Sequence, residues 1–172
     1  MATTVTKFDG CQFWSKSGYA VAWHINFIDV VDETGGLTDS ALLFRNKLVS
    51  QLEGIIFGLS HAYFSDLKSD DKAKRQALET GNEVLNRYMH QVNFLDGKWL
   101  NSKIFELTNA GDISYFGDTG VCPDGHIEYA ITWNNLISGN FEPYPIKPHE
   151  FYRDGRNANR LVGAIEADPL SR

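Results

Sequence analysis

Apolar positions along this chain change period twice. Alternation runs through the first thirty residues, a three-to-four repeat runs from about 42 to 92, and alternation returns from 99 to 133. Residues 5–14 and 19–31 therefore read as strands. In the second, Val21, Trp23, Ile25 and Phe27 share one face and Ala22, His24 and Asn26 the other. The turn-forming run Ser15, Lys16, Ser17, Gly18 joins them as a β-hairpin.

Thr38, Asp39 and Ser40 are all helix N-cap types. After them Leu42, Leu48, Val49, Leu52, Ile55, Ile56, Leu59 and Tyr63 form one helical face. Gly54 and Gly58 within it mark close packing, or a kink or break near Gly58. A polar connection follows, and a second helix is expected from about Asp70 to Val92. Its apolar face is Ala73, Ala77, Leu78, Val84, Leu85, Tyr88, Met89 and Val92. Asp70 and Asp71 suit the positive end of its dipole. The short connection predicts an antiparallel helical hairpin. Residues 99–108, 112–117 and 126–133 then read as three strands, the first two joined by a turn at Asn109, Ala110, Gly111 and Asp112.

The order is thus ββααβββ. It predicts an α+β fold: a mostly antiparallel sheet of about five strands with an α-helical hairpin packed on one face. The length of 172 residues fits a single domain, 1–172, in which the proline-rich stretch 139–172 is irregular.

Composition narrows the function classes. A net charge of −6 makes nucleic acid an unexpected partner, because phosphate binding needs clustered Lys and Arg. Cys11 and Cys122 lie far apart without a C-x-x-C, so two reduced thiols are expected rather than a metal or redox motif, with a disulfide between the first strand and a later loop as the alternative. No apolar run is long enough to cross a bilayer and the first residues are not a signal peptide, which predicts a soluble, cytoplasmic protein. Aromatics at 13% are high, which is expected first of all to make a thick core, with a binding surface or pocket as the alternative use of some rings.

The charge is unevenly placed. Between Lys103 and Lys147 stand Glu106, Asp112, Asp118, Asp124, Glu128 and Glu142, with no Lys or Arg among them. Asp29, Asp32, Glu33 and Asp39 form a second unopposed run. Acidic rows of this kind steer basic partners. Aromatic anchors inside a charged rim are common at protein interfaces. Glu106, Asp112, Tyr115, Asp118, Asp124, Glu128 and Trp133 are therefore the candidate partner-binding residues, with Phe116 beside them. A solvated sheet face with acidic turns is the competing reading of the same residues.

Candidate chemistry is sparse. Asp124, His126 and Glu128 would share one strand face, as an acid–base trio or metal ligands would, but Asp124–Gly125 as an ordinary turn and Glu128 on an exposed strand face is the stronger reading. The remaining histidines, His24, His61, His90 and His149, show no ligand spacing, and no P-loop, nucleophile elbow or dinucleotide fingerprint is present. Cys122 with His126 is a remote nucleophile–base pairing. Arg153, Arg156 and Arg160 either recognise an anion or hold the tail to the acidic surface. No cofactor and no metal are expected.

The second predicted helix followed by residues 96–118, through Trp99, Phe105, Gly111, Tyr115 and Phe116, resembles bacterial immunity proteins of polymorphic toxin systems. That resemblance implies a small acidic protein that plugs the active site of a basic toxin. Two other readings stand beside it. One is a small-molecule-binding domain or small enzyme whose aromatic pocket uses His24, Asn26 or His126 as polar contacts. The other is an assembly subunit with an exposed apolar face on the first long helix.

Overall fold

The structure is a computed structural model and describes residues 3–35, 39–59, 61–117, 121, 123–142 and 162–165. Asp118, Cys122, His149, Arg153, Arg156 and Arg160 lie outside the described residues. Strands β1 (Thr3–Phe8) and β2 (Cys11–Lys16) are followed by helices α1 (Ser17–Thr34) and α2 (Asp39–Ile56). The short strand β3 (His61–Tyr63) comes next, then α3 (Asp71–His90), α4 (Gly97–Leu107), α5 (Pro123–Ser138) and β4 (Val162–Ile165). Two 3-10 turns, Ser65–Lys68 and Val92–Leu95, flank α3.

The fold is α+β in character, but helices dominate it and the expected order ββααβββ does not hold. One sheet has the order β3-β1-β2-β4, with three of its strands inside residues 3–63. β2 is antiparallel to β1 and β4, while β3 runs parallel to β1. Val162–Ile165, within the stretch expected to be irregular, forms β4 on the edge of β2.

The N-terminal hairpin is one strand-length earlier than its predicted position. Residues 5–14 are not one strand but most of a complete hairpin. Its two-residue turn is Asp9–Gly10, both with positive φ (47° and 78°). Asp-Gly in this geometry matches the right-handed twist of the flanking strands, and its preference for φ > 0 sets the register Phe8↔Cys11.

Residues 19–31 form α1 rather than a strand. The reason lies in how α1 is surrounded. Ala20, Val21, Ala22, Trp23, His24, Ile25, Asn26, Phe27 and Ile28 are all buried, so no polar face exists to reveal a helical period. α2, α3 and α5 each pack against α1, which therefore forms the centre of the molecule. α2 packs chiefly on α1, and α3 chiefly on α5 with α1 second, so the two do not form the expected hairpin with each other.

α2 ends in a Schellman cap. Gly58 (φ 98°) donates to Ile55 O, and Leu59 N donates to Gly54 O at 2.8 Å. The side chain of Leu59 fills the space over Gly54, which explains the pair of glycines. The chain is then free to add β3 to the sheet. α3 starts on Asp70, whose carboxylate accepts from Lys72 N and Ala73 N.

The two predicted strands 99–108 and 126–133 are helices. Asp96 caps α4 by accepting from Trp99 N, and Leu100 and Ile104 turn inward at helical spacing. α5 opens on Pro123, where the missing N–H costs nothing, and buries His126, Tyr129, Ala130, Trp133, Leu136 and Ile137. A strand would put Tyr129 and Ile131 on one face, yet Tyr129 is buried and Ile131 is 43% exposed. Residues 112–117 form no strand. They are held instead by Asn101, whose Oδ1 accepts from Tyr115 N and Phe116 N and whose Nδ2 donates to Phe116 O.

The excess aromatics go mainly to the core. Trp23 and Trp133 stack with centroids 4.3 Å apart, and Phe27, Phe64 and Tyr129 surround them. The phenol of Tyr129 shares a 2.9 Å hydrogen bond with Thr6 Oγ1, tying α5 to the sheet.

Candidate functional site

The predicted partner-binding residues do not form the expected aromatic-centred strand face. Trp133 is fully buried against Trp23, Phe27 and Phe64 and offers nothing to a partner in this fold. Tyr115 is half-buried and Phe116 buried, both in the loop held by Asn101. Glu106 is exposed at the end of α4 and paired with Lys103 at 3.1 Å. Asp112 is exposed in the loop after α4; Asp124 is exposed and Glu128 half-buried, both on α5. Asp124 and Glu128 lie one helical turn apart instead of flanking His126 on a strand, and His126 turns into the core between Tyr19 and Tyr88. Among the described residues no three His, Cys, Asp or Glu side chains are grouped to hold a metal.

The second acidic run is not unopposed. Asp29 accepts from Arg87 Nη1 at 2.9 Å and from Lys103 Nζ at 3.1 Å, and Glu33 also pairs with Arg87. Asp32 takes a bidentate hydrogen bond from Arg45 (2.6 and 2.7 Å). The Arg87 side chain is nearly buried and its guanidinium lies 4.4 Å above the ring of Phe94. This cluster knits α1, α3 and α4 together, so most of its charge is used within the fold.

Two of the three proposed pocket contacts are core residues of α1, and the third, His126, is in the core on α5. His24 is fully buried. Its Nδ1 donates to Ala20 O at 2.7 Å, because a carbonyl can only accept. Burial pulls its pKa down to about 4, so the imidazole is neutral at pH 7. Asn26 donates to Ala22 O and to Phe94 O, anchoring the turn after α3. Burial pushes the Tyr88 phenol well above its ordinary pKa. These groups specify the core and do not line the opening between α1, α2 and α3.

An opening does exist, between α1, α2 and α3, with a volume of about 370 Å³. Its floor is apolar: Phe27, Val30 and Val31 from α1, Ala41 and Phe44 from α2, Ala73 and Ala77 from α3. The space follows from residue size. Ala73 and Ala77 are one turn apart on the face of α3 toward α1, and short side chains there cannot fill the gap between three helices. The rim is polar, with Thr34, Gln76, Glu79, Thr80 and Glu83. Thr34 and Thr80 direct their hydroxyls to carbonyls of their own helices, Val31 O and Gln76 O. Glu79 and Glu83 are exposed and neither is ion-paired to a described residue.

Sequence reasoning named none of these lining residues as functional. Ala73 and Ala77 were visible as an apolar helix face, and Glu79 with Glu83 as an i, i+4 pair of like charge. What brings them to Phe27 and Phe44 is the helical identity of residues 17–34, which alternation concealed. The apolar face expected on the first long helix is partly present: Leu42, Leu43, Phe57 and Leu59 are 45%, 71%, 64% and 66% exposed. No helix among the described residues is long and apolar enough to cross a membrane. The chain matches no protein-family model, no curated protein and no solved structure.

Proposed function

We propose that this protein binds a small organic ligand in the cavity at the α1–α2–α3 junction. The observation that carries this reading is the cavity itself: about 370 Å³, apolar in its floor and polar at its rim. Ligand sites commonly fall in the range of about 300–1,000 Å³ with this division of surface. Three packed helices supply the walls, so the site is pre-formed. Burying about 150 Å² of apolar ligand surface yields about 4 kcal/mol at about 25 cal/mol/Å². Ordering costs offset part of this, so polar contacts at the rim must supply affinity beyond the millimolar range. The two hydroxyls of the lining, on Thr34 and Thr80, donate to carbonyls of their own helices rather than to Glu79 or Glu83, which favours binding over catalysis.

A thermal-shift screen of aryl and alkyl fragments tests the reading. Hits are expected to stabilise the protein, and Ala73→Phe, which fills the cavity from its edge, should remove their effect while keeping a cooperative melt. Stabilisation that survives Ala73→Phe would place the binding elsewhere.

A second reading keeps a basic protein partner. Asp112 and Asp124 favour it: both are exposed, and neither is ion-paired to a described residue. Its specific form, inhibition of a toxin, rests on the sequence resemblance alone. Pull-down from native lysate at low and moderate salt tests it, and recovery of no stable partner would remove its support. A cytoplasmic setting goes with either reading, where the free, half-buried thiol of Cys11 stays reduced.

A further inference from the structure

We infer that the ligand of the α1–α2–α3 cavity is an amphiphilic cation, a small amine carrying an aryl or short alkyl body; the inference rests on the ligand-binding reading above. Charge complementarity is the first argument. Glu79 and Glu83 are successive turns of α3 on the cavity rim, both exposed and neither ion-paired to a described residue. Like charges at i, i+4 destabilise a helix, and a cation seated between them relieves that repulsion.

Other charges near the opening do not reverse its sign. Asp32 is matched by Arg45, and Glu33 shares Arg87 with Asp29. Thr34 and Gly35 stand at the carbonyl end of α1, whose last turn holds no basic residue. Ala41 stands in the first turn of α2, at its amide end. The half-charges of the two helix ends, about −0.5 and +0.5, roughly cancel. Arg75 stands one turn before Glu79 on α3 but does not line the opening, so the two carboxylates that do line it set its sign and disfavour an anionic ligand head.

The floor sets the rest of the molecule. Phe27 and Phe44 meet edge to face with centroids 5.8 Å apart, and Val30, Ala73 and Ala77 complete an apolar surface. A cavity of about 370 Å³ has room for about a dozen atoms of water size. A benzene ring on a two-carbon stem with a terminal amine has that size, and its ammonium would reach the rim while its ring covers the floor.

Three probes matched in shape test this: 2-phenylethylammonium, 2-phenylethanol and phenylacetate, titrated calorimetrically into the full chain at low salt. The expected order is ammonium, then alcohol, then carboxylate. The ammonium should lead the alcohol by about fivefold, the value of two exposed ion pairs of ordinary strength. That lead should vanish at about 1 M salt, where screening acts within about 3 Å. Glu79→Gln/Glu83→Gln should abolish it, bringing ammonium affinity down to that of the alcohol, and an unchanged far-ultraviolet circular dichroism spectrum and cooperative melt show that the double variant is folded. An alcohol or carboxylate that binds as tightly as the ammonium, or a lead that survives in the double variant, overturns the ligand class but not the cavity. Binding of all three that persists in Ala73→Phe, or no binding of any, overturns both.

Discussion

Replacing Arg87 by methionine should destabilise the fold by about 2–3 kcal/mol, although Arg87 lies far from any opening. The number is assembled from its contacts. The hydrogen bond from Nη1 to Asp29 is charge-assisted and mostly shielded from water, and such bonds contribute about 1.5–3 kcal/mol. The pair with Glu33 adds less than about 1 kcal/mol because Glu33 is 59% exposed. The guanidinium over Phe94 adds about 1 kcal/mol. Two effects reduce the total. Methionine keeps the packing of the arginine stem. Asp29 also retains Lys103, so its carboxylate is not orphaned, which holds the cost below the roughly 3–5 kcal/mol of an uncompensated buried charge. Urea denaturation followed by far-ultraviolet circular dichroism reads the change, provided the slope with denaturant is unaltered. In an Asp29→Asn background the same substitution should cost about 1.5 kcal/mol less. An Arg87→Met variant within about 0.5 kcal/mol of the parent, or a double-mutant cycle with no coupling, would refute the argument that this cluster holds α1 to α3.

His24 should give the protein an acid-side weakness. Its folded pKa is lowered from 6.5 to about 4, so it contributes nothing to pH dependence above 6.5. Below that value the unfolded chain binds a proton that the folded chain refuses, and stability falls as pH drops toward 4. The stability gap between the parent and His24→Leu should narrow by about 2 kcal/mol from pH 7 to pH 5, and a constant gap would contradict the burial of a neutral imidazole. Gly97→Ala should destabilise by about 1–3 kcal/mol despite the better helix propensity of alanine, because its Cβ would lie 2.0 Å from the carbonyl oxygen of Gly117 and the backbone must move. A variant as stable as the parent in thermal melts would show that the contact between α4 and the 112–117 loop is loose.

How much of this was legible in the sequence depended on whether an element keeps one wet face. α3 does: its cap at Asp70 and its inward positions Ala77, Val84 and Tyr88 stand out at helical spacing, and the helix expected from about 70 to 92 is found at Asp71–His90. Residues 20–28 of α1 have no wet face. Surrounded on every side, they present Val21, Trp23, Ile25 and Phe27 alternating with Ala22, His24 and Asn26, which is also the pattern of a strand. α4 and α5 were misread because β-branched and aromatic residues outweighed the caps Asp96 and Pro123. The Asp9–Gly10 turn was present in the sequence and carries a specific backbone requirement; treating 5–14 as continuous overlooked it. The acidic rows were legible as charge but not as free charge. Arg87 is 58 positions from Asp29, and only the packing of α1 on α3 brings them within 2.9 Å. The cavity was illegible for the same reason, since its walls come from three helices of which one was read as a strand.

Amide chemical-shift mapping of the isotope-labelled chain during titration with 2-phenylethylammonium tests the central claim most directly. The account predicts saturable shifts concentrated at residues 27–35, 41–44 and 73–83, the walls of the cavity. Shifts confined to the surroundings of Asp112 and Asp124, or none at all, would contradict it.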